Sequence, residues 1–244
     1  INSPVSVMKE MGEFFIITTQ LFASFFMTAQ KQANDITPNK TQSNNSSNAI
    51  TGEVERHPFE PFLPKNAKLL MLGSFPPAEH RWTMHFYYPN YINDMWRIVG
   101  IIFFNDKEYF VDKEQKSFYV DKLISFLTDK GIALFDTATA IIRTKGTAAD
   151  KDLEVVETTD VTALLDKIPQ CTAIVTTGEK ATEVLMQQFG IKEKPKVGCF
   201  VSFTFNNKDM KLYRMPSSSR AYPMKIERKA EFYRQMFSDV FANN

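Results

Sequence analysis

The sequence predicts an α/β fold: three layers, α/β/α, built around a central, mainly parallel sheet of four strands. Three observations predict it. Short apolar runs recur along the chain and end in glycine or small polar residues. Stretches with helical spacing of their apolar residues lie between those runs. The two patterns alternate, and strands alternating with helices imply parallel pairing with helices on both faces. Composition agrees: 43% hydrophobic and 23% charged residues supply a core and exclude a wholly disordered or fibrous chain.

The regular pattern begins at about residue 63. Lys68–Leu72 before Gly73-Ser74 reads as a buried strand, as do Ile132–Phe135 before Asp136, Ala173–Thr177 before Gly178, and Lys211–Met215 before Pro216-Ser217. Residues 91–104 and 117–130 read as helices, the second stopped by Gly131. Val161, Leu164, Leu165 and Ile168 follow Asp160, a good N-cap, at helical spacing. Glu179–Phe189 is a helix closed by Gly190, and Ile226–Phe241 makes the last one. Gly198–Phe205 and Met210–Met215 form a hairpin whose turn is set by Asn206-Asn207.

Two segments precede this domain (residues 63–244). Residues 1–29 hold an apolar run, Phe14 to Met27, interrupted by Thr18, Thr19, Gln20 and Ser24. It is shorter than the roughly 20 residues a bilayer requires. Its flank sets Lys9 against Glu10 and Glu13, a poor match to a secretory signal. It is an apolar leader read either as a signal or anchor, or as an irrelevant or loosely docked segment. Residues 30–62 are rich in Asn, Ser, Thr and Gln, and are read as a disordered linker.

Several classes are excluded. Net charge is +1, so the chain is not uniformly basic, although residues 206–234 carry eight basic residues against three acidic ones, a local footprint for a polyanion. Two cysteines, Cys171 and Cys199, cannot hold a four-cysteine cluster. Neither a zinc-deaminase signature nor a Gly-x-x-x-x-Gly-Lys-Ser/Thr loop occurs.

In open α/β sheets ligands bind beyond the carboxyl ends of the strands. Those ends carry Ser74, Asp136, Thr177 and Ser217. Three stretches stand out there. The first is Gly73-Ser74-Phe75-Pro76-Pro77, followed by Tyr87-Tyr88-Pro89-Asn90-Tyr91-Ile92-Asn93-Asp94-Met95-Trp96. The second runs from Arg143 to Leu153, and the third is Met215-Pro216-Ser217-Ser218-Ser219-Arg220. In this order the set resembles the uracil-DNA glycosylase superfamily, nearest its mismatch-specific thymine/uracil and hypoxanthine branches, from about Pro64 to Phe237.

The resemblance implies a monofunctional DNA glycosylase of base excision repair. Such a hydrolase flips a deaminated or mispaired base out of the duplex and cuts its N-glycosidic bond, leaving an abasic site, with uracil the first choice. The implied catalytic residues are Asn93, Asp136 and Ser74; Asn93 and Asp136 are the candidates for activating water. Gly73, Phe75, Tyr88, Asn93 and Thr177 would bind the base, Tyr88 as the stacking ring. Backbone N–H groups of the Gly73–Phe75 loop would stabilise the leaving anion. Arg143, Ser217, Ser218, Ser219 and Arg220 would contact DNA, the serines on phosphates and Arg220 in the gap left by the base. Plainer roles exist for several: core packing for Tyr88 and Trp96, helix capping for Asn93, a strand-end turn for Asp136, an ordinary loop for Pro216–Ser219, a solvated helix face for the basic residues, and solvation for His80 and His85.

The sequence departs from the mismatch-specific branch, which has Asn where this chain has Ser74 and a second Gly where it has Pro77. The hypoxanthine branch tolerates Ser there. The resemblance implies no cofactor, no metal and no membrane partner. It implies a cytoplasmic monomer acting on double-stranded DNA with a damaged or mismatched base. The alternatives are a hypoxanthine or thymine mismatch glycosylase of the same fold, a catalytically silent nucleic-acid-binding relative, and an unrelated α/β protein holding a small phosphate ester.

Overall fold

Sixteen short elements follow one another in the computed structural model, which describes residues 52–144 and 152–242. All lie in the second of the two units into which the chain divides, residues 50–244. In order they are β1 (Val54–Arg56), β2 (Leu69–Gly73), a 3-10 turn at Glu79–Arg81, α1 (Met95–Phe104), β3 (Val111–Asp112), β4 (Ser117–Phe118), α2 (Val120–Lys130), β5 (Ile132–Asp136), β6 (Ala138–Arg143), β7 (Leu153–Thr158), α3 (Val161–Lys167), β8 (Ala173–Thr177), α4 (Glu179–Phe189), β9 (Cys199–Phe205), β10 (Lys208–Met215) and α5 (Ile226–Phe241).

The central sheet has the order β5-β2-β8-β10-β9. Its first four strands are parallel; β9 joins antiparallel to β10 at the edge. The sheet is therefore five-stranded and mixed, where four mainly parallel strands were expected. The reason is local. Asn206 and Asn207 both take left-handed backbone angles (φ 49 and 59), the conformation of a two-residue hairpin turn, and it folds β9 back onto the sheet. Every residue of β2, β5 and β8 is buried, as strands covered on both faces are. The core they share includes Leu69, Leu70, Ile132, Ile174 and Leu212 together with Trp96 from α1 and Tyr233 from α5.

Helix limits follow their caps. The expected helix over 91–104 starts only at Met95, because Asn93 and Asp94 form the turn that leads into it. That over 117–130 starts at Val120, since Ser117 and Phe118 pair with β3 instead. It stops at Gly131, as expected. There φ is +69, and a Cβ would lie 2.5 Å from the Asn66 carbonyl, so only glycine fits. Asp160 caps α3 by accepting from the Ala163 N–H at 3.0 Å.

A second, antiparallel sheet of order β1-β6-β7 was not anticipated. It corrects the expected linker at its C-terminal end. Residues 54–56 pair with 140–142, and Phe62 bridges Leu134 on β5 through two backbone bonds of 2.9 and 3.0 Å. A three-residue, half-exposed strand leaves almost no periodicity to read. Its small core is Ala138, Ile141 and Leu153, with Phe75 and Val155 packed against it. The leader and residues 30–51 lie outside the described residues. Among the described residues no helix is long and apolar enough to cross a membrane.

Candidate active site

Because β2, β5, β8 and β10 are parallel neighbours, their carboxyl ends meet at one edge. A cavity of about 820 Å³ opens there. β2 and its following loop contribute Gly73, Ser74 and Phe75; β5 contributes Asp136 and β8 Thr177. The loop before α1 supplies Tyr88 and Asn93, and the loop after β10 supplies Ser217, Ser218, Ser219 and Arg220. Tyr88 and Arg220 thus face the same hollow.

Close packing fixes the floor. Gly73 lies opposite Asp136 in the β2–β5 register, and a Cβ on Gly73 would come within 2.4 Å of Asp136 Oδ1. The loop beyond it is held through its carbonyls: Gly73 O accepts from Thr137 N–H at 2.9 Å and Ser74 O from Ala138 N–H at 3.2 Å. Phe75 turns toward the small second core and meets His57 edge-on at 5.3 Å.

Asp136 is almost buried, its side chain 11% exposed, and its Oδ2 lies 2.9 Å from His57 Nε2. His57 Nδ1 lies 3.2 Å from the Phe59 N–H donor and 2.9 Å from the Phe59 carbonyl. A neutral ring that accepts from Phe59 N–H carries its proton on Nε2; a protonated ring carries one on each nitrogen. Because an ionised carboxylate can only accept, its pairing with Nε2 at 2.9 Å selects one of these two forms, and Nε2 donates to it. Oδ1 has no hydrogen-bond partner among the described residues. Unlike Thr137 Oγ1, which is buried without a partner, Oδ1 is open to the cavity that Asp136 lines.

Tyr88 adopts φ +52, a strained angle for an aromatic residue, worth of order 1–3 kcal/mol that the surroundings must supply. Trp96 meets its ring edge-on at 5.6 Å, and Trp96 Nε1 donates to the Tyr87 carbonyl at 3.0 Å. Trp96 is therefore core, as its plainer reading had it. Tyr88 OH and Thr177 Oγ1 are 3.3 Å apart. Burial, reinforced by the Asp136 charge, pushes the Tyr88 phenol well above its ordinary value, so it presents a neutral hydroxyl. Asn93 lies one residue before Asp94, the N-cap, and holds the entry to α1 from there: its Oδ1 accepts from Met95 N–H at 2.9 Å. Its amide nitrogen has no partner among the described residues and remains a donor for the cavity that it lines.

The serine loop is built by turns. Ser217 Oγ accepts from Ser219 N–H at 3.2 Å and Ser219 Oγ from Ala221 N–H at 3.3 Å, which leaves each hydroxyl proton for an acceptor such as a phosphate oxygen. Ser218 is buried, and its carbonyl takes the Asp94 N–H at 3.0 Å. Arg220 is 55% exposed and touches Asp94 through Nε at 3.4 Å. Arg81, Lys180 and Arg214 also line the cavity, with Glu179 and Glu183 on the same wall.

Arg143 is not brought to the cavity. Its guanidinium pairs with Glu55 at 2.8 Å, donates to the Pro76 carbonyl at 2.7 Å and lies over the Phe75 ring. It clamps the β1 arm to the loop after β2, a task its place at the end of β6 dictates. Within the second motif, residues 145–151 lie outside the described residues. His80 and His85 are exposed, and His85 meets Trp82 edge-on at 5.8 Å. No group of three or more His, Cys, Asp or Glu side chains able to hold a metal occurs among the described residues.

Sequence reasoning missed His57, Phe59 and the Asp94–Lys229 pair. The first two fall within the stretch taken as linker. The signal available was a lone His-Pro followed by Phe59 and Phe62, too many aromatic residues for a solvated tether.

No family model matches the chain, and no curated protein matches it either. A solution NMR structure of a protein from Methanosarcina acetivorans, provisionally named a uracil DNA glycosylase, matches with a TM-score of 0.52 and 24% sequence identity. The match covers 77% of this chain and 99% of the other. What the two chains are shown to share is an α/β fold with a mixed sheet.

Proposed function

We propose that the chain is a monofunctional DNA glycosylase acting on a deaminated or mispaired base, uracil first, in double-stranded DNA. The observation that carries this reading is the convergence of Tyr88, Asn93, Asp136 and the Ser217–Arg220 loop on one cavity. In this reading the flipped base stacks on Tyr88, and Asn93 Nδ2 and the Tyr88–Thr177 hydroxyls read its edge. Loop N–H groups after Gly73 face its oxygen. Ser217 and Ser219 take the flanking phosphates, and Arg220 fills the vacated stack as the protein acts as a monomer. The share of the match on the solved chain (99%) supports the reading at the level of fold.

The test is direct. The full chain is incubated with duplexes carrying uracil, thymine or hypoxanthine opposite each partner base, and abasic sites are cleaved with alkali. Scission that Asp136→Asn or Asn93→Ala slows by about 100-fold or more supports catalysis, and the duplex cut fastest names the base. One observation favours a second reading, a silent nucleic-acid-binding relative: Ser74 stands where the mismatch-specific branch has its water-holding Asn. Salt-sensitive binding without scission decides for it.

A further inference from the structure

Resting on the glycosylase reading, we infer that His57 is the positioning residue that presents Asp136 Oδ1 to the attacking water. Two facts separate this from an ordinary buried histidine satisfied by a convenient carboxylate. The first is the division of labour on Asp136: Oδ2 is engaged by His57 Nε2 at 2.9 Å, while Oδ1 faces the cavity with no protein donor. A carboxylate recruited only to satisfy a histidine has no need to keep an oxygen in a ligand-sized hollow. The second is confinement. Gly73 abuts Oδ1 so closely that a Cβ would meet it at 2.4 Å, and the imidazole blocks the opposite side.

His57 is itself immobilised. Its backbone N–H donates to Thr139 O on β6 at 2.8 Å, and its ring, 3% exposed, lies against Phe59, Phe75, Tyr87 and Phe135 with centroid separations of 4.6 to 6.5 Å. The carboxylate thus has one donor, held in one place. The step balances as follows. The oxygen of water bonds to C1′ while the C1′–N bond breaks, and its electron pair leaves with the base. One proton of that water passes to Asp136 Oδ1, the other stays on the new hydroxyl. Asp136 then returns its proton to the departed base, ending as the carboxylate it began as. His57 gains and loses nothing; it holds the acceptor in line.

The experiment measures single-turnover rates at saturating full-length protein, and dissociation constants, on the duplex cut fastest. His57→Phe keeps the ring volume and removes the donor. It is expected to slow the saturated rate about 10- to 100-fold, against the roughly 10²–10⁴-fold that a general base itself supplies, with DNA affinity unchanged. In an Asp136→Asn background the same substitution is expected to add nothing, because the two residues act as a unit. His57→Gln, whose amide reaches the carboxylate, is expected to recover rate, and His57→Asn, whose shorter amide does not reach, to stay slow. That second pair carries the test if His57→Phe loses its cooperative melt. A loss equal in both backgrounds, a loss confined to affinity, a wild-type rate in His57→Phe, or equal rates for Gln and Asn overturns the positioning role and leaves the glycosylase reading standing. Absence of scission by the wild-type chain on every duplex overturns both.

Discussion

Lys229 on α5 places its ammonium 2.9 Å from Asp94 Oδ2 and 2.8 Å from the Ser219 carbonyl, with its side chain wholly shielded from solvent. Asp94 is 7% exposed and directly precedes α1, and its other oxygen meets Arg220. One buried charge pair therefore ties the last helix, the start of α1 and the serine loop together. Removing Lys229 leaves the buried Asp94 only the 3.4 Å contact with the exposed Arg220, a loss near the lower end of about 3–5 kcal/mol. Lys229→Met is expected to lower unfolding free energy by that amount in urea titrations and to weaken DNA binding by releasing Ser219. A loss under about 1 kcal/mol, the size of an exposed ion pair, contradicts it.

Gly73→Ala separates stability from activity. The added methyl meets the end of a side chain, so Asp136 must shift rather than the backbone. The stability loss is expected to stay within about 1–3 kcal/mol. Because a misplacement of about 1 Å at reacting groups can cost 10²-fold, the proposed base excision should fall far more than the melting temperature. Alanine with full activity removes Asp136 from the reaction.

How much of this was legible beforehand varies with the kind of signal. The four parallel strands announce themselves as runs such as Leu69–Gly73 and Ala173–Thr177, because strands buried on both faces are continuously apolar. The loops at their ends follow from topology, so Tyr88, Asp136 and the serine loop are found together. The second sheet is illegible for the opposite reason. β1 is three residues long and β7 is half exposed, so neither carries a period-2 pattern strong enough to outvote a linker composition. Arg143 was assigned to DNA from its place in a motif, and only the fold brings Glu55 from far upstream to take its charge. Lys229 counts as one more cation in a basic stretch until its burial is seen.

On the proposed reading, Arg220→Ala bears on how a base would be extracted. An exposed guanidinium loosely held by Asp94 can leave it for the stack. The variant is expected to lose more rate on a well-paired base than on the same base in a single strand, where no gap needs filling. Equal losses on the two substrates remove that role.

Stability should decline at alkaline pH. Burial pushes the phenols of Tyr87, Tyr88 and Tyr233 above their ordinary 10.0, the Asp136 charge adding to the first two, and pushes the Cys171 thiol up to about 11 from 9.0. In the unfolded chain these groups ionise at their ordinary values while the folded chain keeps its protons. Their contribution is therefore intact below pH 9 and is lost as pH rises, by up to about 1.4 kcal/mol per unit for each group in its window. Denaturation midpoints at pH 8, 10 and 11 should fall in that order, less steeply in Tyr233→Phe. A flat profile to pH 11 sinks the expectation.

The pairing of β1 with β6 has a consequence for how the protein comes into being. His57 and Asp136 are 79 positions apart in sequence, so the arm emerges from the ribosome early and waits, unmatched, while the strands that will receive it are still being made. Long-range closures of this kind are slow relative to local ones. On the proposed reading, newly made molecules should then gain their cutting ability only once the arm has docked.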